Sequence, residues 1–92
     1  MKKPAGAIVK LRLTTPDGRQ MPAWTPGSHI DVECGTPDVT RQYSLCGDPA
    51  DANALEIAVL READGRGGSA WIHDEVRAGD RLKIRGPRNP AR

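Results

Sequence analysis

The sequence predicts an all-β domain: a small antiparallel barrel of five or six short strands with one short helix before the last strand. Three observations carry this. Five segments alternate apolar and polar residues with a period of two. Ten glycines and eight prolines in 92 residues punctuate the chain with turns. A single segment, 69–78, has helical spacing instead, with Ile72 and Val76 at i, i+4.

Residues 7–14 place Val9, Leu11 and Leu13 on one face and Lys10 and Arg12 on the other. Pro16-Asp17-Gly18 then makes a turn, because proline fixes φ and glycine accepts positive φ. Residues 19–27 are irregular. The second strand, 29–34, turns Ile30, Val32 and Cys34 inward and Asp31 and Glu33 outward. A Gly-Thr-Pro-Asp turn leads to the third strand, 40–46, and a polar loop, 47–53, to the fourth. That strand, 54–61, aligns Leu55, Ile57 and Val59 on one face. A glycine-rich loop, 62–68, enters the helix, for which Ser69 is the expected N-cap and Gly79 the C′ residue. The last strand, 80–85, turns Leu82 and Ile84 inward and ends at Gly86-Pro87.

The length allows one domain, spanning residues 1–92. A chain of this size buries only about 60–65% of its unfolded surface. With no Phe and a single Tyr, its core rests on Val, Ile and Leu. The net charge of +2 gives no strong nucleic-acid footprint. Arg81, Lys83, Arg85, Arg88 and Arg92 form a basic end, best read as a solvated edge strand. No apolar run approaches the ~18 residues of a membrane span, and MKKPAGA lacks a signal peptide's apolar stretch. A cytoplasmic protein with no membrane or nucleic-acid partner is the expectation. Cys34 and Cys46 are too few for a zinc or iron–sulfur site. The hairpin reading sets them on the order of 20 Å apart, so both are expected to be reduced thiols. His29 and His73 have no carboxylate or Cys at ligand spacing, and surface positions are expected. Trp24 and Trp71 are expected to cover the core. No catalytic constellation and no metal site is read.

Two segments carry chemistry. In GRGGS (65–69), three glycines let the backbone take positive φ and approach a ligand closely. Successive N–H groups in such a turn make an anion-binding hollow, reinforced by the start of a helix. The same residues also describe a plain glycine loop entering a helix. No Gly-Lys-Ser/Thr follows, so this is not a Walker loop. In RQYSL (41–45), Arg41 offers a planar fork for phosphate oxygens. Tyr43 offers an apolar ring with a polar tip, and Ser44 a hydroxyl. Alternation puts Arg41 and Tyr43 on one face and Ser44 on the other. A ligand touching all three must straddle a strand edge or a gap in the barrel wall. An ordinary amphipathic strand would read the same way.

RQYSLC (41–46), GRGGS (65–69) and GDRLKIRGPRN (79–89), with PGSHIDV at 26–32, resemble the flavin domain of the phthalate dioxygenase reductase family. That family includes vanillate O-demethylase reductases. The likeness runs from about residue 6 to residue 89. It implies a six-stranded Greek-key antiparallel barrel that binds FMN, with FAD in the related ferredoxin-reductase branch. It further implies that Arg41 and the Gly67-Gly68-Ser69 backbone hold the phosphate, that Tyr43 lies along the flavin, and that Ser44 reaches the reactive edge of the ring. Gln42 and Leu45 complete the strand motif as cofactor-binding residues. In the full family architecture the flavin takes a hydride from NADH and passes single electrons to a plant-type 2Fe–2S centre, which serves an oxygenase component. These 92 residues hold neither a nicotinamide-binding nor an iron–sulfur domain. They continue past GPRN with Pro90-Ala91-Arg92 and without the family's phenylalanine. An excised domain or a truncated frame is therefore expected, whose own activity is flavin binding. Two alternatives stand beside this. One is a non-catalytic barrel that acts as an interaction module through Trp24, Trp71 and the last strand. The other is a nucleic-acid barrel using 81–92, which lacks the stacking aromatics such barrels employ.

Overall fold

In the computed structural model, which describes residues 6–62 and 67–88, five strands and one helix form in chain order. They are β1 (Ile8–Leu13), β2 (His29–Glu33), β3 (Thr40–Cys46), β4 (Leu55–Leu60), α1 (Gly68–Glu75) and β5 (Ile84–Arg88). All pairings are antiparallel, in the order β1-β4-β3-β2-β5. The expected antiparallel architecture and the helix before the last strand are present. Six strands and a closed Greek-key barrel are not formed by the described residues, because β1 and β5 remain sheet edges. Pro16, Pro22 and Pro26 interrupt the long connection from β1 to β2. A proline has no N–H for a ladder, and the connection contributes no strand.

The alternating faces meet as their side chains require. Ile30 and Val32 of β2, Leu45 of β3, Leu55, Ile57 and Val59 of β4, and Ile72 of α1 are buried together with Trp24 and Cys34. β1 covers them from one side through Val9, Leu11 and Leu13, which are half-buried. Ile57 sits at the junction: it pairs with Leu11 on one side and Leu45 on the other. Burying such a side chain completely stabilises the fold by about 1.5–3 kcal/mol.

The helix and the last strand differ in extent from the sequence expectation. The helix ends at Glu75, and Val76 is extended at φ −84° and ψ 131°. Gly79 therefore lies in a following turn rather than at C′. In that turn the Asp80 N–H donates to the Arg77 carbonyl, while the Asp80 carboxylate accepts the Arg77 N–H. The last strand starts at Ile84, where its partner Val32 begins, and runs on to Arg88. It passes Gly86-Pro87 as a bulge instead of ending there. Cys34 and Cys46 are free thiols, as expected.

Truncation at the junction tests this packing. Ile57→Ala is expected to lower unfolding stability by about 3 kcal/mol in chemical denaturation. Ile8→Ala, at a position 67% exposed, should change it by less than about 0.5 kcal/mol.

Candidate functional site

β3 is bound unevenly by its neighbours. Thr40 to Ser44 pair with β2, with Arg41 opposite Val32, Tyr43 opposite Ile30 and Ser44 opposite His29. Toward β4 only Leu45 and Cys46 have partners, Ile57 and Glu56. Residues 40–44 thus border a gap in the sheet. The Leu45 N–H donates to the Ser28 carbonyl on the β2 side. By alternation, Gln42 and Ser44 turn their N–H and C=O groups toward the gap. This is the break in the wall that a ligand of both strand faces requires. Arg41 and Tyr43 share the core-side face with Leu45, whereas the side chains of Gln42 and Ser44 are exposed.

The start of α1 closes on Arg41. Gly67 is left-handed at φ 91° and precedes the helix, with no side-chain cap. The first helical bond runs from the Trp71 N–H to the Gly67 carbonyl at 2.8 Å. The N–H groups of Gly68, Ser69 and Ala70 therefore have no acceptor within the helix, and no acidic residue stands in its first turn. A Cβ placed on Gly68 would lie 2.6 Å from Arg41 Cγ and 3.0 Å from its Nε. Arg41 must therefore run directly over the Gly68 backbone. Its guanidinium donates to the Thr40 carbonyl at 3.1 Å, and no carboxylate among the described residues forms an ion pair with it. A half-buried cation beside free backbone donors fits a phosphate end of a ligand. Gly65 lies outside the described residues.

Ser69 differs from its expected role. Gly67 takes the N-cap position, because the left-handed turn at glycine begins the helix one residue earlier. The Ser69 hydroxyl is buried and accepts the N–H of Glu62 at 2.9 Å. Nothing in the sequence reveals this partnership, since the two residues stand seven positions apart with no repeat linking them.

Tyr43 is half-buried on the wall of the gap. Burial, then the Cys34 thiol and the Glu62 carboxylate, push its phenol up to about 12, against a smaller opposing pull from Arg41. Burial also pushes the Cys34 thiol up, with Arg41 pulling it back. Both groups are neutral at ordinary pH.

The remaining candidates fall elsewhere. His73 is buried, not on the surface: one ring nitrogen, Nε2, lies 2.7 Å from the Val59 carbonyl, and Nδ1 has no partner. Helical periodicity missed this because α1 is covered by β4 over a wider arc than Ile72 and Val76 mark. His29 is half-buried between Ser44 and Arg88. Trp24 is buried, and Trp71 packs against the core with its indole over Gly35. Trp24 offers no free surface, whereas Trp71 is half-buried. Arg81, Lys83 and Arg85 are exposed, Arg88 pairs with Asp31 at 3.1 Å, and Arg92 lies outside the described residues. Two clefts beside β5, of about 510 and 850 Å³, contain neither Arg41 nor Gly68. Among the described residues no group of three metal-ligating side chains gathers, and no helix is long and apolar enough to cross a membrane.

The single tyrosine makes its burial measurable. Absorbance titration should give a tyrosinate midpoint of about 12 rather than about 10. A raised folded-state value stabilises the fold fully below pH ~10, and that contribution is lost as pH rises through ~12. Wild-type protein should therefore lose more stability between pH 9 and 11 than Tyr43→Phe does. A midpoint at the ordinary phenol value would show that the ring is solvated.

Known proteins resemble this chain in sequence and fold. The chain is 41% identical over 83 residues to the vanillate O-demethylase oxidoreductase of Acinetobacter baylyi, covering 90% of this chain and 26% of that one. Full-length CYP116B46 from Tepidiphilus thermophilus superposes with a TM-score of 0.88 at 57% identity, over 96% of this chain and 12% of that one. Phthalate dioxygenase reductase, a modular protein for electron transfer from pyridine nucleotides to 2Fe–2S, superposes with a TM-score of 0.85 at 35% identity. The match covers 98% of this chain and 28% of that one. The chain thus spans about a quarter of the length of the curated relatives it matches. The oxidoreductase FAD-binding domain family matches residues 4–91. By that match, and by its likeness to phthalate dioxygenase reductase and vanillate O-demethylase oxidoreductase, the chain belongs to the oxidoreductase FAD-binding domain family.

Proposed function

We propose that this domain holds FMN for a reductase that delivers electrons from NADH, through a 2Fe–2S centre, to an oxygenase component. The observation that carries the reading is Arg41 lying over Gly68 at the open start of α1. One guanidinium and one backbone hollow suit one phosphomonoester, which is the terminus of FMN; FAD is the alternative. Arg41 would pair with phosphate oxygens, and the Gly67-Gly68-Ser69 backbone would donate to them. Tyr43 would flank the flavin as a neutral phenol. Ser44, with Gln42 and Leu45 on either side, would present the β3 edge to the ring. A bound flavin supplies the exchange between two-electron and one-electron transfer, and the protein holds and tunes it. The relatives include a vanillate O-demethylase oxidoreductase and phthalate dioxygenase reductase, which supports an oxygenase as the final acceptor. The 92 residues carry the flavin-holding share of that work. A domain covering the exposed side of the ring would add binding energy, so FMN affinity of this chain alone should be modest.

Titration with FMN, FAD and riboflavin tests the reading. FMN should saturate the protein, quench its own fluorescence and shift amide resonances at 41–45 and 67–69. Arg41→Ala should weaken FMN by about 10–100-fold, the worth of a charge-assisted hydrogen bond. Gly68→Ala should weaken it similarly, because its Cβ displaces the middle of the Arg41 side chain rather than its tip. Riboflavin, which lacks phosphate, should be insensitive to both changes. Absence of saturable FMN binding, or shifts confined to other regions, would sink the reading.

A further inference from the structure

We infer that the outer edge of β5 is a docking site for an extended acidic peptide segment, one that alternates carboxylate and apolar side chains. β1 and β5 are the two ends of the sheet, and among the described residues no strand pairs with the far side of either. A cleft of about 850 Å³ lies between them, bounded by the end of β1 and by residues 79–84. It contains neither Arg41 nor Gly68, so the inference stands apart from the flavin reading.

The backbone of this edge is set for pairing. The Glu33 N–H donates to the Lys83 carbonyl at 3.0 Å, which continues the β2–β5 ladder one residue before Ile84. Lys83 thus turns its polar backbone groups toward β2. By alternation, Leu82 and Ile84 turn theirs away, into the cleft. The side chains of Leu82 and Ile84, with those of Leu13 and Met21, line the cleft and are half-buried against the core. An added strand finds an open ladder and an apolar bed together.

Charge selects the occupant. Arg12, Arg81 and Lys83 line the cleft against one carboxylate, Asp80. Arg12 is held by Asp51 and Glu56, each at 3.2 Å. Arg81 and Lys83 are exposed and form no ion pair among the described residues, although Glu33 stands across the ladder from Lys83. Alternation places both cations on the face opposite Leu82 and Ile84. A second copy of this chain matches poorly. Its free edges present Lys10 and Arg12 on β1 and the same basic pair before β5, and like charges across a ladder destabilise it. A strand with Asp or Glu at every second position meets Arg81 and Lys83 instead. Its intervening apolar side chains then reach Leu82 and Ile84.

The test titrates the whole chain with a blocked peptide of alternating glutamate and valine, about six residues long. Binding should saturate, shift the amides of 82–84 and slow hydrogen exchange at the Ile84 N–H. Added salt should weaken it, because exposed charges are screened. Arg81→Glu combined with Lys83→Glu should weaken it about tenfold, through the loss of two exposed ion pairs and the repulsion that replaces them. The same double variant should leave FMN affinity at its wild-type value. Arg81→Gln with Lys83→Gln adds no repulsion and should give a smaller loss; it serves if the first variant does not fold. A peptide of alternating lysine and valine should not bind. Equal binding of both peptides, no saturation with the glutamate peptide, or shifts confined to residues outside 12–16 and 79–84 would overturn the inference. Equal affinity for free glutarate would make the cleft a small-anion site and overturn it too. Dimerisation that protects the Ile84 N–H without peptide would assign the edge to a second copy, with the same consequence.

Discussion

The contact of Arg41 with the bare backbone of Gly68 is the constraint on which the site depends. It joins the start of β3 to the first turn of α1, two pieces that no ladder connects. It needs a glycine, because the nearest arginine atom is Cγ, part of the stem, which cannot move aside as a flexible tip could. It also needs α1 to begin where it does. The left-handed Gly67 turns the chain into the helix one residue before Ser69, and this sets Gly68 beneath the arginine. Sequence, backbone conformation and placement of charge are thus tied together at one spot.

The gap beside β3 follows from the same arrangement. Leu45 and Cys46 hold β3 to β4, and Ile57 packs into the core at that seam. Beyond it the two strands are no longer paired, and α1 is anchored at the far end of β4 through Ser69, His73 and Asp74. Unpaired strand edges are costly when buried and hazardous when exposed. Here the exposed edge is short and borders the site, so a ligand with matching donors and acceptors can complete it. The core is built from other residues, which lets the edge stay open without weakening the hydrophobic centre.

Local patterns in the sequence announced much of this. Alternation found β2 and β4 nearly to the residue, because Ile30, Val32, Leu55, Ile57 and Val59 all face one way. Reading Arg41 and Tyr43 on one face and Ser44 on the other held. What stayed hidden depends on partners. β5 begins at Ile84 because β2 offers Val32 there, not because its own alternation changes. His73 is buried because Val59 stands opposite it. Ser69 looked like a cap because it is the first polar residue of the helical segment, yet Gly67, two residues earlier, does the turning. Among the described residues no sixth strand forms, and the three prolines after β1 give a cause already visible in the sequence.

The electrostatics of the gap complete the case for an anion at Arg41. Two groups near the guanidinium could ionise and neutralise it: the Tyr43 phenol and the Cys34 thiol. Burial raises both, and Arg41 pulls each back by less than burial pushes. Each therefore remains uncharged, so neither becomes a counter-ion. Glu62, the nearby carboxylate that adds to the Tyr43 shift, is exposed and screened by solvent. The first turn of α1 has no acidic side chain, and its free N–H groups add partial positive charge. A half-buried cation without an ion-pair partner among the described residues is costly to maintain unless something fills the space beside it. A phosphate, as proposed above, would match the space in sign, size and number of acceptors.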